Sequence, residues 1–88
     1  MTGGPKRNRG RLGNPTKPPL LSGKKIVKAF EKAGYYSVSQ RGSHIKIRSG
    51  LRQITLIIPD HKEVDRWTLR GIIRDAELTI DQFIELLK

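Results

Sequence analysis

Three short segments between positions 35 and 58, in which apolar and polar side chains alternate, constrain the fold of this chain most strongly. A period of two is that of a β-strand with one buried face and one exposed face. The turns between the segments hold only three or four residues, so neighbouring strands must run antiparallel. The sequence therefore predicts a three-stranded antiparallel meander, with strands over residues 35–40, 44–48 and 53–58.

The chain before these strands has the pattern of an amphipathic helix. Ser22 is a suitable N-cap, and Gly34 is suited to end the helix because glycine readily adopts the left-handed conformation needed there. Apolar residues recur between them at helical spacing, whereas Lys24, Lys28 and Lys32 recur every four residues on the other side. One face of this helix is therefore predicted to pack on the core, and the other to be cationic.

Two further helices are predicted after the strands. A polar loop is expected over residues 60–67, and Thr68 is then positioned to cap a second helix. Thr79 and Gln82 have the spacing of a capping box, which begins a third helix. The predicted order is αβββαα, an α+β fold in which the helices cover one face of the sheet and leave the other face open.

The first 20 residues differ in composition from the rest of the chain. They hold four glycines, four prolines and five basic residues, with no apolar periodicity. Such a segment cannot bury enough apolar surface to offset the entropy lost on ordering. We expect residues 1–20 to be a disordered basic arm, which either adds phosphate contacts or has no specific role, and residues 21–88 to form one domain.

The net charge of +10 is unevenly distributed. Residues 1–21 and 22–52 carry +5 and +7, whereas residues 53–88 carry −2. Nucleic acid is therefore the first partner to consider. The chain has no cysteine, which excludes disulfides and a cysteine nucleophile, and no apolar stretch reaches the roughly 18 residues of a membrane span. We expect a cytoplasmic protein without a membrane partner.

The second strand contains the side chains best suited to chemistry on a polyanion. If Ile45 and Ile47 face the core, then His44, Lys46 and Arg48 stand together on the opposite face. Imidazole can accept or donate a proton near neutral pH, and neighbouring cations can stabilise a charged transition state. The composition by itself favours an exposed strand histidine that only packs on its neighbours.

His61 is the only other histidine of the chain and follows the third predicted strand. It is either a complementary acid or a loop residue, and its polar surroundings favour the loop residue. Its neighbours Asp60, Glu63 and Asp65 match no spacing of established metal ligands. We therefore expect no metal site and no cofactor.

Three short motifs carry a resemblance to a known family. The motif Gly42-Ser43-His44 follows Leu21-Ser22-Gly23-Lys24 and precedes Thr68-Leu69-Arg70-Gly71-Ile72-Ile73-Arg74-Asp75-Ala76. In these motifs and their order, the chain resembles the HicA (YcfA-like) family of toxins over residues 20–87. The resemblance implies a fold like the double-stranded RNA-binding domain, ribonuclease activity against messenger RNA, and a HicB-like antitoxin that covers the active site. It also implies that His44 is the catalytic residue.

The chain departs from the family pattern at three places. The family often has a second histidine or an aromatic residue shortly after the catalytic one, where this chain has Ile45-Lys46-Ile47. Trp67 and Glu77 each stand where the family commonly has glycine. The first departure removes an additional general acid from the strand. The other two bear on the geometry of a loop and of a helix end.

The resemblance and the charge pattern together indicate the toxin of a type II toxin–antitoxin system. We expect a metal-independent endoribonuclease that cleaves messenger RNA, with His44 as general acid or base and Lys46 stabilising the phosphorane. The alternatives are a non-catalytic RNA-binding module with the same fold, and an interaction protein whose charge serves solubility or DNA association. Trp67 is expected to anchor a loop or to contact the antitoxin. The residues predicted to contact RNA are Lys24, Lys28, Arg41, Ser43, Lys46 and Arg48.

Overall fold

A computed structural model describes residues 19–88 of the chain. The predicted basic arm over residues 1–20 lies outside this range, except for its last two residues. Over residues 19–88 the order is αβββαα, as the sequence predicts. The elements are α1 (Gly23–Lys32), β1 (Tyr35–Arg41), β2 (His44–Ser49), β3 (Thr55–Pro59), α2 (Arg66–Asp75) and α3 (Ile80–Leu86).

The first helix, α1, begins and ends where the sequence predicts. The Ser22 side-chain oxygen accepts a hydrogen bond of 3.2 Å from the amide of Lys25, which satisfies one of the free donors of the first turn. Gly34 follows the helix with φ +93°, a left-handed conformation that glycine adopts at little cost. Both ends of α1 are therefore fixed by local chemistry that is visible in the sequence.

The three strands form one antiparallel sheet with β2 in the centre. The pairing of β1 with β2 shifts between Ser37 and Ser39, so Val38 is an extra residue in β1. This is a β-bulge, which changes the alternation of side chains along the bulged strand. The other strand pair of the sheet, β2 with β3, keeps a regular register throughout.

The hydrophobic core lies between the helices and one face of the sheet. Ile47 and Ile58 are fully buried on that face, and the rings of Phe30 in α1 and Phe83 in α3 lie 5.4 Å apart above it. Burying a side chain of this size stabilises the fold by about 1.5–3 kcal/mol. The opposite face of the sheet is uncovered among the described residues, as predicted. None of the helices over residues 19–88 is long and apolar enough to cross a membrane.

The prediction that Thr68 caps the second helix is wrong. Asp65 is the N-cap of α2, and its carboxylate accepts a hydrogen bond of 2.7 Å from the amide of Thr68, which lies inside the first turn. The helix begins at Arg66 because the carboxylate of Asp65 accepts a hydrogen bond from a free amide of the first turn. A threonine cap at position 68 would do the same for a helix that began later in the chain. Trp67 is consequently helical and does not lie in a loop.

In the second half of the chain, the start of β3 differs from the prediction and the cap of α3 agrees with it. The strand β3 begins at Thr55, two residues later than predicted, because Gln53 has φ +56° and cannot continue an extended strand. The capping box of α3 is confirmed: the amide of Gln82 donates to Thr79 Oγ1 at 3.0 Å, and Gln82 Oε1 accepts from the amide of Thr79 at 2.8 Å.

Candidate active site

The uncovered face of the sheet carries three rows of side chains, because residues paired directly across an antiparallel sheet point to the same side. The central residue of each row comes from β2, and each of the three is basic. The expectation that His44, Lys46 and Arg48 share the exposed face is therefore confirmed. The rows are Tyr36, Arg48 and Thr55; then Ser39, Lys46 and Ile57; then Arg41, His44 and Pro59.

The three central side chains of these rows differ in how they are held. Arg48 is half-buried, and its Nη1 donates a hydrogen bond of 3.0 Å to Thr55 Oγ1 on β3. Lys46 is exposed, and no hydrogen bond or ion pair holds its ammonium within residues 19–88. Lys46 lies one row from His44, whereas Arg48 lies two rows away. Lys46 is thus nearer to the imidazole of His44 than Arg48 is, and its side chain is freer to move towards a ligand.

His44 opens onto a cleft of about 350 Å³ at the end of the sheet. The cleft also contains the second imidazole of the chain, His61, which lies in the loop between β3 and α2 as the sequence predicts. Ile57 gives it an apolar wall, and the first turn of α2 closes one side. The lining residues are His44, Ile57, Pro59, His61, Glu63, Val64, Asp65 and Thr68.

The segment that carries His61 is held on one side by the start of α1. The amide of Gly23 donates a hydrogen bond of 2.9 Å to the carbonyl oxygen of His61, and the amide of Val64 donates one of 2.7 Å to the carbonyl oxygen of Leu21. A Cβ atom on Gly23 would lie 2.0 Å from the carbonyl oxygen of Pro59. Only glycine lets α1 approach the segment this closely, because 2.0 Å is far inside van der Waals contact.

The same segment is held on its other side by the hairpin between β1 and β2. The amide of Asp60 donates to the carbonyl oxygen of Ser43 at 2.7 Å, and Gln40 Nε2 donates to Asp60 Oδ2 at 3.0 Å. His44 follows Ser43 and His61 follows Asp60 in the chain. The backbone hydrogen bond between Asp60 and Ser43 therefore holds the two histidine-bearing segments side by side.

The acidic side of the cleft is formed by the beginning of α2. Hydrogen bonds from the amide and the hydroxyl of Thr68 hold the pKa of the Asp65 carboxyl below its usual value. Asp65 is therefore a carboxylate near neutral pH, and both of its oxygens accept hydrogen bonds from Thr68. Within residues 19–88, no group of three or more histidine or acidic side chains is arranged to hold a metal ion.

The predicted RNA contacts fall into two groups. Arg41, Ser43, Lys46 and Arg48 lie on the open face or in the hairpin beside His44. Lys24 and Lys28 are exposed on α1 and line no part of the cleft with His44. Instead, Lys28 lines a separate groove of about 330 Å³ between α1 and the end of α3, together with Leu21, Lys25, Ala29, Lys32, Leu86 and Leu87. The structure thus places four of the six predicted residues on the sheet face or hairpin that carries His44, and none of the six lines the cleft itself.

Sequence reasoning missed several residues that build this site. Gly23 and Gln40 hold the segment that carries His61, Asp65 caps α2, and Ile57 lines the cleft. Gly23 was visible in the sequence only as part of the motif Leu21-Ser22-Gly23-Lys24, which does not reveal the carbonyl oxygen of Pro59 that excludes a side chain there. Gln40 and Ile57 have no comparable signal, because their roles depend on which elements meet in space.

Comparison with known proteins bears directly on this cleft. The family model described as HicA toxin of bacterial toxin-antitoxin matches residues 23–78. The match runs from the first residue of α1 to just beyond α2, and so includes both histidines and every residue that lines the cleft. No curated protein matches the chain.

Proposed function

The chain belongs to the HicA family of bacterial toxin–antitoxin toxins, and from this premise we propose that it is a metal-independent endoribonuclease that cleaves messenger RNA. The observation that carries the proposal is that His44 and His61 line a single cleft at the end of a basic sheet face. Two imidazoles in one cleft provide the two proton-transfer groups that RNA cleavage without a metal requires.

Binding precedes chemistry and uses the open face of the sheet. Arg41 shares the row of His44, and Lys46 lies in the adjacent row, so a single strand of RNA laid across β2 meets successive cations. Contacts of this kind neutralise phosphates and carry no sequence information. They bring the strand to the cleft and orient a phosphodiester towards His44.

The chemistry is an attack of the ribose 2′-oxygen on the adjacent phosphorus. One imidazole accepts the 2′-hydroxyl proton, and the other donates a proton to the departing 5′-oxygen. We assign these two roles to His44 and His61 jointly. Lys46 stabilises the extra negative charge of the phosphorane. The P–O5′ bond breaks as the P–O2′ bond forms, which leaves a 2′,3′-cyclic phosphate and a 5′-hydroxyl.

The natural inhibitor is proposed to be a HicB-like antitoxin protein. Its contact surface should be acidic, because it must cover the side chains of Arg41, Lys46 and Arg48, and oppositely charged surfaces associate quickly and specifically. Covering that face also closes access to the cleft. One protein contact would thus block both RNA binding and proton transfer.

The competing function is a non-catalytic RNA-binding module, which the exposed lysines of α1 and the basic sheet face would serve equally well. The deciding experiment incubates the purified protein with a labelled single-stranded messenger RNA in excess EDTA, beside His44→Ala at equal concentration. We expect cleavage by the parent and a loss of about 100-fold or more in His44→Ala. Lys32→Ala, which removes an exposed cation away from the cleft, is the control.

The outcomes of this experiment separate the two functions. Cleavage by the parent and by Lys32→Ala, with RNA binding retained in His44→Ala, supports the endoribonuclease. Binding without cleavage in all three proteins supports the RNA-binding module. Cleavage that EDTA abolishes would contradict the metal-independent mechanism.

A further inference from the structure

Trp67 is the only tryptophan of the chain, and its side chain is 81% exposed. It lies in the first turn of α2. The guanidinium carbon of Arg70 lies 5.7 Å from the centre of its ring system, which is the distance of a cation–π contact. One face of the indole is thus associated with a cation, and most of the remaining surface is open to solvent.

The position of Trp67 relates it to the cleft. Asp65, the N-cap two residues before it, and Thr68, the residue after it, both line the cleft that holds His44 and His61. Consecutive Cα atoms are about 3.8 Å apart, so the backbone of Trp67 lies between two residues of the cleft wall and no more than two residues of chain from either. A nucleotide next to the one held in the cleft would pass beside this turn.

The surroundings of Trp67 favour a nucleobase over a protein side chain as its partner. Within residues 19–88, it is the only large exposed hydrophobic side chain on α2, and its helix neighbours Arg66 and Arg70 are cationic. Aromatic anchors of protein interfaces sit at the centre of well-packed, desolvated patches. A stacking platform for single-stranded RNA needs only one open aromatic face and a nearby cation.

We propose that Trp67 is a base-stacking platform, on which a nucleobase of single-stranded RNA next to the scissile phosphate stacks against the ring face opposite Arg70. This proposal rests on the proposed function, because it takes the strand in the cleft to be RNA. Every base has a π-face, so the platform adds affinity with little sequence preference. It holds the strand in place at a point beyond the basic sheet face.

Because the chain has one tryptophan, fluorescence excited at wavelengths that its two tyrosines do not absorb reports on this side chain alone. The experiment titrates His44→Ala protein, which leaves the RNA uncut, with a short single-stranded RNA and with an abasic RNA of the same length. We expect the normal RNA to quench the emission and the abasic RNA, which has the phosphates without the bases, to leave it nearly unchanged. Unchanged emission at saturating normal RNA would overturn the proposal.

Binding of a labelled copy of the same RNA, followed by anisotropy, provides the second measurement. In the His44→Ala background, Trp67→Ala should weaken binding roughly 5- to 150-fold, which is the range for one stacked base, and Trp67→Phe should weaken it less. Leu51→Ala is the matched control, since Leu51 is 92% exposed in the turn between β2 and β3, at the far end of the sheet. Equal affinity of Trp67→Ala and its background would contradict the platform.

The two proposals fail in different ways. RNA binding without quenching, together with cleavage by the parent, removes the platform and leaves the endoribonuclease standing. Quenching by a cognate antitoxin but not by RNA would make Trp67 a protein contact, which also overturns the platform. Absence of both RNA binding and cleavage would reject the proposed function and the platform with it.

Discussion

The amide of Gly23 donates a hydrogen bond to the carbonyl oxygen of His61, and so the first residue of α1 holds the segment that carries one of the two imidazoles of the cleft. The contact requires that Gly23 have no side chain, because a Cβ atom would lie 2.0 Å from the carbonyl oxygen of Pro59. Helix packing and the geometry of the cleft therefore depend on the same residue.

Replacing Gly23 by alanine should harm both stability and cleavage. The clash is with backbone, which cannot swing aside as a flexible side chain can, and we expect a loss of about 1–3 kcal/mol in the free energy of unfolding. Urea denaturation measures this loss. Gly50→Ala is the control, because the nearest atom to its added Cβ is 3.8 Å away, in ordinary contact. Equal stability of the two variants would contradict the steric role of Gly23.

His61→Asn should lower the rate of RNA cleavage by about 10²- to 10⁴-fold, the usual contribution of one general acid or base. The side chain is exposed, and the contact with Gly23 uses the backbone carbonyl, so the fold should be unaffected. Single-turnover cleavage gives the rate, and circular dichroism checks the fold. Lys62→Ala changes the next exposed residue and should cleave normally. A His61→Asn protein as active as the parent would show that His61 takes no part in proton transfer.

Glu77→Gly should stabilise the fold by about 0.5–1 kcal/mol. Glu77 has φ +62°, a left-handed conformation that costs a residue with a Cβ about 1–2 kcal/mol. Its exposed ion pair with Arg52 contributes less, about 0.2–1 kcal/mol. Glu77→Ala separates the two effects, because it loses the ion pair and keeps the strain, and it should be less stable than the parent. Thermal unfolding in which Glu77→Gly melts below the parent would contradict this balance.

Tyr35→Phe should leave stability at neutral pH unchanged or raise it by about 1 kcal/mol. The hydroxyl of Tyr35 is buried and has no hydrogen-bond partner among the described residues, while its ring packs edge-on against Phe30 with 5.1 Å between the ring centres. The substitution keeps the ring contact and removes the unpaired group. Tyr36→Phe, which removes an exposed hydroxyl from the next residue, is the control and should change stability little.

The same pair of variants should differ at alkaline pH. Burial raises the pKa of the Tyr35 hydroxyl above its usual value of 10.0. The stability that comes from keeping this hydroxyl neutral is therefore complete below pH 10 and is lost as the pH rises through the folded-state pKa. Tyr35→Phe should retain its stability further into this alkaline range than the parent. Identical pH profiles for the two proteins would contradict the burial effect.

The element order could be predicted from the sequence because its signals are local. Alternation over residues 44–48 assigned Ile47 to the core and Lys46 to the open face, and the Thr79 capping box fixed the start of α3. The start of α2 was predicted wrongly because Asp65 and Thr68 are both of residue types that cap helices. Only the hydrogen bond between them decides which one lies outside the helix.

The position of His61 in the cleft could not be predicted in the same way. His61 is brought to His44 by hydrogen bonds from main-chain atoms of Gly23 and Asp60, and main-chain donors and acceptors are the same in almost every residue. Sequence pattern carries no record of such contacts. The glycine at position 23 is the one trace of them, and its meaning requires knowledge of what packs against it.

The bulge at Val38 determines which face of the sheet each later residue of β1 points to. With the extra residue, Arg41 pairs with His44 and points to the open face, while Gln40 pairs with Ile45 and is left to hold Asp60. If β1 had no bulge, regular alternation from Tyr35 onward would turn Arg41 to the core face and Gln40 to the open face. The place of Arg41 beside His44 therefore depends on this irregularity of the backbone as much as on the identity of the residue.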